Sequence, residues 1–346
     1  MGDATFDETP FFGIEVTRRC NLHCPHCFTA SGGAAHSGPS TDSLKELLSA
    51  LARAGIRSVA FSGGEPLIRQ DLSELTRHGK DAGIIEFGLV TNGHFADAAR
   101  VRELCEAGLD TVQVSLDGVD ATDHSAARGC GPGEFYRGVR AVNLFKSCGV
   151  AVYVATILNP RNVQRAPEMA MFCEALGVNG LRYCTFVPTG RGASADSINA
   201  LTVDAGDLDR FVQFLHTLNQ NPDSRISISI DHAIGPWQQS GEFHCDSGKR
   251  VAYVSAEGDL YPCPSLIASP FRVGNVFETP VEQLLASPRM SLVRSNRREQ
   301  ISGPCGSCRN QLCQGGCRGL AYAATGDQYG AVSYCYFRNM LKNRPV

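Results

Sequence analysis

Three cysteines near the start of the chain, Cys20, Cys24 and Cys27, are spaced C-x3-C-x2-C within Cys20-Asn-Leu-His-Cys24-Pro-His-Cys27. A structural zinc ion takes four ligands in a closed tetrahedron, and no fourth cysteine follows at zinc-finger spacing. His23 and His26 are available as zinc ligands, but they lie between the thiols on a tight loop. Three thiolates on a cubane of four irons would instead leave one iron open, and an open iron is where chemistry can occur. Spacing alone admits both arrangements.

A second field runs from Cys245 to Cys335. It reads C-x12-G-x4-C, then C-x2-C-x4-C-x3-C, then seventeen residues and a final cysteine, with Gly258 as the glycine. Its members are Cys245, Cys263, Cys305, Cys308, Cys313, Cys317 and Cys335. Cys305-x2-Cys308 by itself also suits a zinc ribbon. The remaining five of the fifteen cysteines (Cys105, Cys130, Cys148, Cys173 and Cys184) are scattered in apolar or helical contexts and read as packing residues. An odd count in a reducing compartment argues against a disulfide framework.

Other stretches could line a site beside the first thiols. Ser62-Gly63-Gly64-Glu65-Pro66 pairs two glycines, which let backbone approach a ligand, with a carboxylate suited to an ammonium. Thr91-Asn92-Gly93 reads as a plain turn or as part of the same cavity wall. Val114-Ser115-Leu116-Asp117-Gly118 sets Ser115 and Asp117 on one face of a strand end, although Asp-Gly is also an ordinary turn. Arg128 offers a bidentate guanidinium for a carboxylate, or is a solvated loop residue.

Elements that would position these groups follow from the apolar pattern. Strands are expected over Phe11–Thr17, Ser58–Phe61, Phe87–Val90, Thr111–Leu116, Val150–Ile157 and Gly180–Cys184. Helical stretches lie between them, over Ser43–Ala54, Leu72–Ala82, Ala96–Ala107, Glu134–Cys148 and Ala166–Leu176. This α/β alternation implies a parallel sheet with helical crossovers, either barrel-like or doubly wound, with ligands at the C-terminal strand ends. A helix over Asp204–Leu218 and a strand over Ile226–Ile230 follow, and from Cys245 the chain turns to short β segments and Gly/Pro turns. That part lacks the apolar periodicity for a core of its own, so metal is expected to hold it together, with a boundary near 230–245.

Bulk properties narrow the function classes. A length of 346 residues suggests two units, and a net charge of −3 gives no electrostatic case for nucleic acid or a membrane surface. No apolar run is long enough to span a membrane, and the start is acidic and unlike a signal peptide. A cytoplasmic location is the expectation.

The C-x3-C-x2-C motif, with Gly63-Gly64-Glu65, Ser115/Asp117 and Arg128 in order at successive strand ends, resembles the radical S-adenosylmethionine (SAM) superfamily from Phe11 to about Cys184. The second field resembles the SPASM extension of that superfamily, except that four residues rather than the usual five separate Cys308 from Cys313. The resemblance implies a partial (β/α)6 TIM-like barrel (residues 1–230, with a bridging segment) followed by a small cysteine-rich iron–sulfur domain (residues 231–346). It implies one catalytic 4Fe–4S cluster on Cys20, Cys24 and Cys27, two auxiliary clusters, and bound S-adenosylmethionine. Cofactor contacts would come from His26, Gly63, Gly64, Glu65, Thr91, Asn92, Ser115, Asp117 and Arg128.

By the same resemblance Cys305, Cys308, Cys313 and Cys335 would enclose one auxiliary cluster, and Cys245, Cys263 and Cys317 would hold the other. The nearest upstream thiol is Cys184, so that second cluster is expected to have an open iron or a ligand other than cysteine. The implied reaction is reductive cleavage of S-adenosylmethionine by an electron from an external flavodoxin or ferredoxin. The 5′-deoxyadenosyl radical then takes hydrogen from an unactivated C–H bond, and the auxiliary clusters relay electrons or bind substrate.

Pro264 follows Cys263 where formylglycine-forming relatives carry an Asp, which argues against that activity. Phe186-Val187-Pro188-Thr189-Gly190-Arg191-Gly192 resembles a loop found in relatives acting on haem-type side chains, and in others. The substrate expected is a small natural product, sugar- or nucleoside-like. The alternative is a ribosomal-peptide maturase fed by a separate recognition protein, since about ten residues precede the first strand. A non-enzymatic iron–sulfur electron carrier or scaffold is the rival from another class, and it would have no use for Gly63-Gly64-Glu65.

Overall fold

Strand after strand in the first half of the chain buries one set of alternate residues under the helix that follows it. In the computed structural model, which describes residues 11–33, 37–219, 226–230, 245–294, 297–310 and 313–335, this produces the run β1 (Phe11–Glu15), α1 (Thr41–Arg53), β2 (Ser58–Ser62), α2 (Leu72–Ala82), β3 (Glu86–Thr91), α3 (Ala98–Glu106), β4 (Thr111–Ser115), α4 (Ala121–Arg128), α5 (Gly133–Ser147), β5 (Ala151–Ile157), α6 (Ala166–Leu176) and β6 (Gly180–Cys184). Helices α7 (Ala195–Leu201) and α8 (Ala205–Asn219) lead to β7 (Ser227–Ile230). Strands β1 to β7 pair in sequence order, all parallel. This is the parallel α/β sheet of the partial barrel.

One face of the sheet is apolar. Phe12, Ile14, Val59, Phe61, Phe87, Leu89, Val112, Val114, Val152, Val154, Leu181 and Tyr183 pack with Leu47, Leu51, Leu75, Leu104 and Phe145 of the helices in one continuous core. The alternate residues, among them Gly13, Ala60, Gly88, Gln113, Ala155 and Arg182, therefore lie on the inner face, away from the helices.

The C-terminal part departs from expectation. It contains β8 (Val251–Val254), β9 (Asp259–Tyr261) and β10 (Gly274–Asn275), but also the helices α9 (Val281–Leu285), α10 (Pro288–Arg294), α11 (Gly303–Gly306) and α12 (Arg318–Thr325). Strand β8 pairs parallel with β1, and β9 and β10 continue the same sheet antiparallel. Ala252, Val254, Leu260, Val281, Leu284 and Met290 join the barrel's own core. A single apolar residue every second position in short strands carries little periodicity, so this shared core escapes a sequence reading; metal is not all that holds the segment. The expected boundary falls largely on residues 231–244, which lie outside the described set, as do Gln311 and Leu312 of the shortened loop.

Helices α4 and α7 were not expected either. Asp120 caps α4 by accepting from Thr122 and Asp123 N–H at 3.0 Å each, and Gly129 ends it at φ 62°. These caps were legible, but eight residues with alanine as their only apolar type gave no stripe to read. No helix among the described residues is long and apolar enough to cross a membrane.

Candidate functional site

The β2 loop lies directly against the approach to the first cysteines. Gly64 N–H donates to Thr17 O at 2.7 Å and Glu65 N–H to Arg19 O at 2.9 Å. A Cβ on Gly63 would sit 2.4 Å from Thr17 O, and one on Gly64 2.2 Å from Arg19 O, so no other residue fits without moving backbone. Gly63 also has φ 144°, which L side chains rarely adopt. The glycine pair thus fixes where Cys20 enters.

Glu65 is completely buried. Its Oε1 accepts from Leu67 N–H at 2.9 Å and Thr91 Oγ1–H at 2.7 Å, and its Oε2 from Asn92 N–H at 2.7 Å. Burial raises its pKa, against these three hydrogen bonds. Oε2 keeps one lone pair for a further donor. Asn92 in turn reaches Asn21 Oδ1 at 2.9 Å and Cys20 Sγ at 3.9 Å. Thr91 and Asn92 are therefore brought to the site, as structural ties between the carboxylate and the cysteine loop.

Cys20, Cys24 and Cys27 share one volume: each of the last two acts electrostatically on Cys20, and Cys27 on Cys24. Among the described residues, however, no three Cys, His, Asp or Glu side chains converge as a single metal ion requires. Thiolates around one zinc stand about 4 Å apart, given Zn–S bonds of about 2.3 Å, whereas a cubane holds its thiolates further apart. Three thiols so placed fit a four-iron cluster, three of whose irons they would hold. Burial pushes the Cys20 thiol up to about 12 and raises Cys24 as well. Loading iron must therefore displace thiol protons.

The opposite wall is charged. Asp117, completely buried, accepts from Ile157 N–H through Oδ1 at 2.7 Å, and its Oδ2 lies 2.7 Å from Arg128 Nε. Burial opposes its ionisation, but the Arg128 guanidinium outweighs that and holds the carboxyl below its usual range. Arg128 Nη1 points at Cys24 Sγ at 3.8 Å. His26 Nε2 lies 3.8 Å from Asp117 Oδ2; burial, the main cause, lowers its pKa to about 4, so the ring is neutral. Ser115 ends β4 on the inner face, half-buried. Arg128 is a buried residue in the last turn of α4 and not a solvated loop residue.

In the second field Cys245 acts on Cys263, and Cys305 and Cys308 act on Cys313. Cys335, Cys305 and Cys317 pack with Leu320 and Val332. Burial pushes the Cys263 thiol to about 12. Cys184 ends β6, where its carbonyl accepts from Leu158 N–H at 2.8 Å. A cavity of about 130 Å³, lined by Leu158, Phe186, Leu201, Leu208, Leu320 and Tyr334 among others, lies between the barrel and α12.

Comparison with known proteins bears directly on these two cysteine sites. Residues 14–173 match the model of the radical SAM superfamily, and residues 245–309 match the SPASM iron–sulfur cluster-binding domain. The mycofactocin maturase MftC of Mycobacterium tuberculosis is 31% identical over 309 residues, covering 88% of this chain and 76% of the relative. The pre-heme d1 synthase of Dinoroseobacter shibae is 30% identical, with 93% and 84% covered. The chain belongs to the radical SAM superfamily and carries a SPASM domain.

Another relative of this radical SAM protein is the AdoMet-dependent heme synthase of Methanosarcina barkeri, 29% identical with 94% of this chain and 95% of the relative covered. Streptococcus suis SuiB bound to S-adenosylmethionine shares the fold, with TM-score 0.74 over 95% of this chain and 77% of that one, at 17% identity.

Supports of both cysteine fields were not recognisable as such in the sequence, although the loop that carries Arg191 was singled out there. Arg191 donates to Cys24 O at 2.8 Å and Ser31 O at 2.5 Å, and its N–H to Cys27 O at 2.9 Å. Gly190, at φ 56°, has Phe28 O where a Cβ would be, so the loop after β6 is moulded to the cysteine loop. Glu15, fully buried, accepts from Ser31 Oγ–H at 3.4 Å and Ala256 N–H at 3.1 Å, tying that loop to the β8–β9 turn. Arg318, also fully buried, donates to the carbonyls of Gly315, Gly316, Gln328 and Gly330, which binds the segment before Cys317 to the one before Cys335. A charged residue in a strand, or after a glycine pair, looks solvated until its partners are known.

Proposed function

We propose that this enzyme takes hydrogen from a C–H bond in a side chain of a carboxylate-bearing small molecule of the tetrapyrrole class. The observation that carries this reading is the end-to-end match to the Methanosarcina barkeri heme synthase, over 95% of that protein. The pre-heme d1 synthase match supports it, and moves the expected small molecule from a sugar or nucleoside towards a tetrapyrrole.

In this reading Cys20, Cys24 and Cys27 hold a 4Fe–4S cluster. When bound, that cluster and S-adenosylmethionine supply a 5′-deoxyadenosyl radical, with an external flavodoxin or ferredoxin as electron source. The protein's part is orientation. Glu65, through the lone pair left on Oε2, would take the cofactor ammonium, and Gly63 and Gly64 would let backbone approach it. Asp117 holds Arg128 so that a guanidinium edge remains for the cofactor carboxylate, and Ser115 offers a hydroxyl to the ribose. His26, neutral, adds no competing charge. Cys305, Cys308, Cys313 and Cys335 would hold one auxiliary cluster, and Cys245, Cys263 and Cys317 another, to relay electrons or bind substrate.

A second reading, maturation of a peptide presented by another protein, is favoured by the mycofactocin maturase match. Anaerobic incubation of the reconstituted enzyme with S-adenosylmethionine, dithionite and a porphyrin tetracarboxylate tests the first. The expected result is 5′-deoxyadenosine together with a porphyrin of changed mass, both absent in the Cys20/Cys24/Cys27→Ala variant. 5′-Deoxyadenosine without any change in the porphyrin would turn the assignment to the peptide reading.

A further inference from the structure

We infer that Glu15, Ser31 and Thr29 form a hydrogen-bond relay to the sulfur of Cys27, in which the proton on Glu15 decides whether Thr29 donates to that sulfur. The three are then positioning residues for the electron transfer that starts the reaction. The inference goes beyond the substrate reading and rests only on the assignment of a 4Fe–4S cluster to Cys20, Cys24 and Cys27.

The chain of contacts is continuous. Cys27 Sγ lies 3.5 Å from Thr29 Oγ1, Thr29 Oγ1 2.7 Å from Ser31 Oγ, and Ser31 Oγ 3.4 Å from Glu15 Oε1. Thr29, Ser31 and Glu15 are all buried, and Ala256 N–H fixes the far oxygen of Glu15 at 3.1 Å. Ala30, between the two hydroxyl residues, stands at φ 53°, the one positive φ outside glycine among the described residues. An L side chain keeps that conformation only where its surroundings over-determine it. Here Ala30 N–H donates to Cys27 O at 3.2 Å and Gly32 N–H to Arg18 O at 3.1 Å, which hold the turn that brings the two hydroxyls together.

Each hydroxyl has one hydrogen to give, and that sets the direction of the relay. Bound to iron, Cys27 is a thiolate and only accepts. With Glu15 ionised, Ser31 donates to Oε1, Thr29 donates to Ser31, and the Cys27 sulfur receives no hydroxyl. With Glu15 protonated the order reverses: its O–H donates to Ser31, Ser31 to Thr29, and Thr29 to Cys27 Sγ. A donor on a cluster thiolate favours the reduced, more negative state. Glu15 therefore takes one proton from solvent as the cluster takes one electron from the external donor. Facing Glu15 are Arg18, with Nε 3.7 Å from Oε1, Glu257 of the β8–β9 turn and the phenol of Tyr253 from β8. Burial outweighs them and raises the carboxyl to about 7, so both directions are open near neutral pH.

The test is the midpoint potential of the first site at pH 5.5 and pH 8.5. It is read in an EPR-monitored titration as the signal that the Cys20/Cys24/Cys27→Ala variant lacks. Wild type, Glu15→Gln, Thr29→Val and Thr29→Ser are reconstituted anaerobically and matched for iron content and circular dichroism. The wild-type potential should fall as pH rises. Glu15→Gln, whose amide N–H donates to Ser31 at either pH, should hold the potential near the low-pH value. Thr29→Val keeps the Glu15 charge but breaks the relay, so its potential should be low and nearly independent of pH. Thr29→Ser should restore the wild-type profile. A fall with pH that persists in Thr29→Val would show Glu15 acting by charge alone and overturns the relay. A flat wild-type profile, or a Glu15→Gln profile equal to a sloping wild-type one, overturns it too, and each of these leaves the cluster assignment standing. A wild-type spectrum no different from that of the triple-alanine variant overturns the cluster assignment and the relay with it.

Discussion

Arg128 Nε lies 2.7 Å from Asp117 Oδ2, and both side chains are buried. Each charge is tolerable only because of the other. Asp117→Asn would leave the guanidinium with a neutral amide in place of its counter-ion, at a cost of about 3–5 kcal/mol. Urea unfolding of the metal-free protein should show this loss, and Arg128→Met combined with Asp117→Asn should recover part of it. Single and double variants of equal stability would mean that the pair does not act as a unit.

Burial, opposed by the Ala256 N–H and Arg18, raises the Glu15 carboxyl from 4.5 to about 7. A carboxyl raised on folding contributes stability that is fully present below pH 4.5 and is lost as pH rises through 7. The span corresponds to about 3 kcal/mol. Glu15→Gln carries no titrating group there, so its stability relative to wild type should improve between pH 5 and pH 8. Urea midpoints measured across that range check the sign, and parallel curves would refute the linkage.

Gly64→Ala puts a methyl 2.2 Å from Arg19 O, so the β2 loop and the approach to Cys20 must separate. The expected cost is about 1–3 kcal/mol, with poorer retention of the iron held by the first three cysteines. Gly33→Ala, which meets nothing within 4 Å, is the matched control and should stay within about 0.5 kcal/mol of wild type. Iron assay after desalting, with thermal melts of both variants, separates the two effects.

Arg318→Met would remove the guanidinium's hydrogen bonds to the four carbonyls it serves. Part of the iron should then be lost while the cluster on Cys20, Cys24 and Cys27 survives, because that loop is held by Arg191 from the barrel side. Iron and sulfide analysis, with binding of S-adenosylmethionine as the readout for the first site, measures this. Loss of S-adenosylmethionine binding along with the iron would show the two regions to be coupled.

How much of this was legible is clearest at Leu72–Ala82 and Ala166–Leu176, where apolar spacing and an αL glycine just beyond set both ends of the helix, and the expected bounds are the observed ones. The order of the six βα units and the grouping of the cysteines followed from pattern and spacing, because both are properties of neighbours along the chain. Strand β8 was different. Its partner is β1, some 240 residues away in the register Phe11↔Val251, and no local signal names a partner at that distance. Glu15 and Arg191 escaped for the same reason, and Arg318 because the nearby carbonyls it serves are backbone groups of irregular loops that no side-chain pattern marks. A buried charge is recognisable only from the groups that satisfy it, and Glu15 meets Ala256, Arg191 meets Cys24, and Arg318 meets Gln328 and Gly330 only in the folded chain. Sequence alone determined which chemistry the thiols can support. Tertiary structure decided what holds them in place, because hydrogen bonds and ion pairs between distant segments form only once the sheet has fixed their geometry.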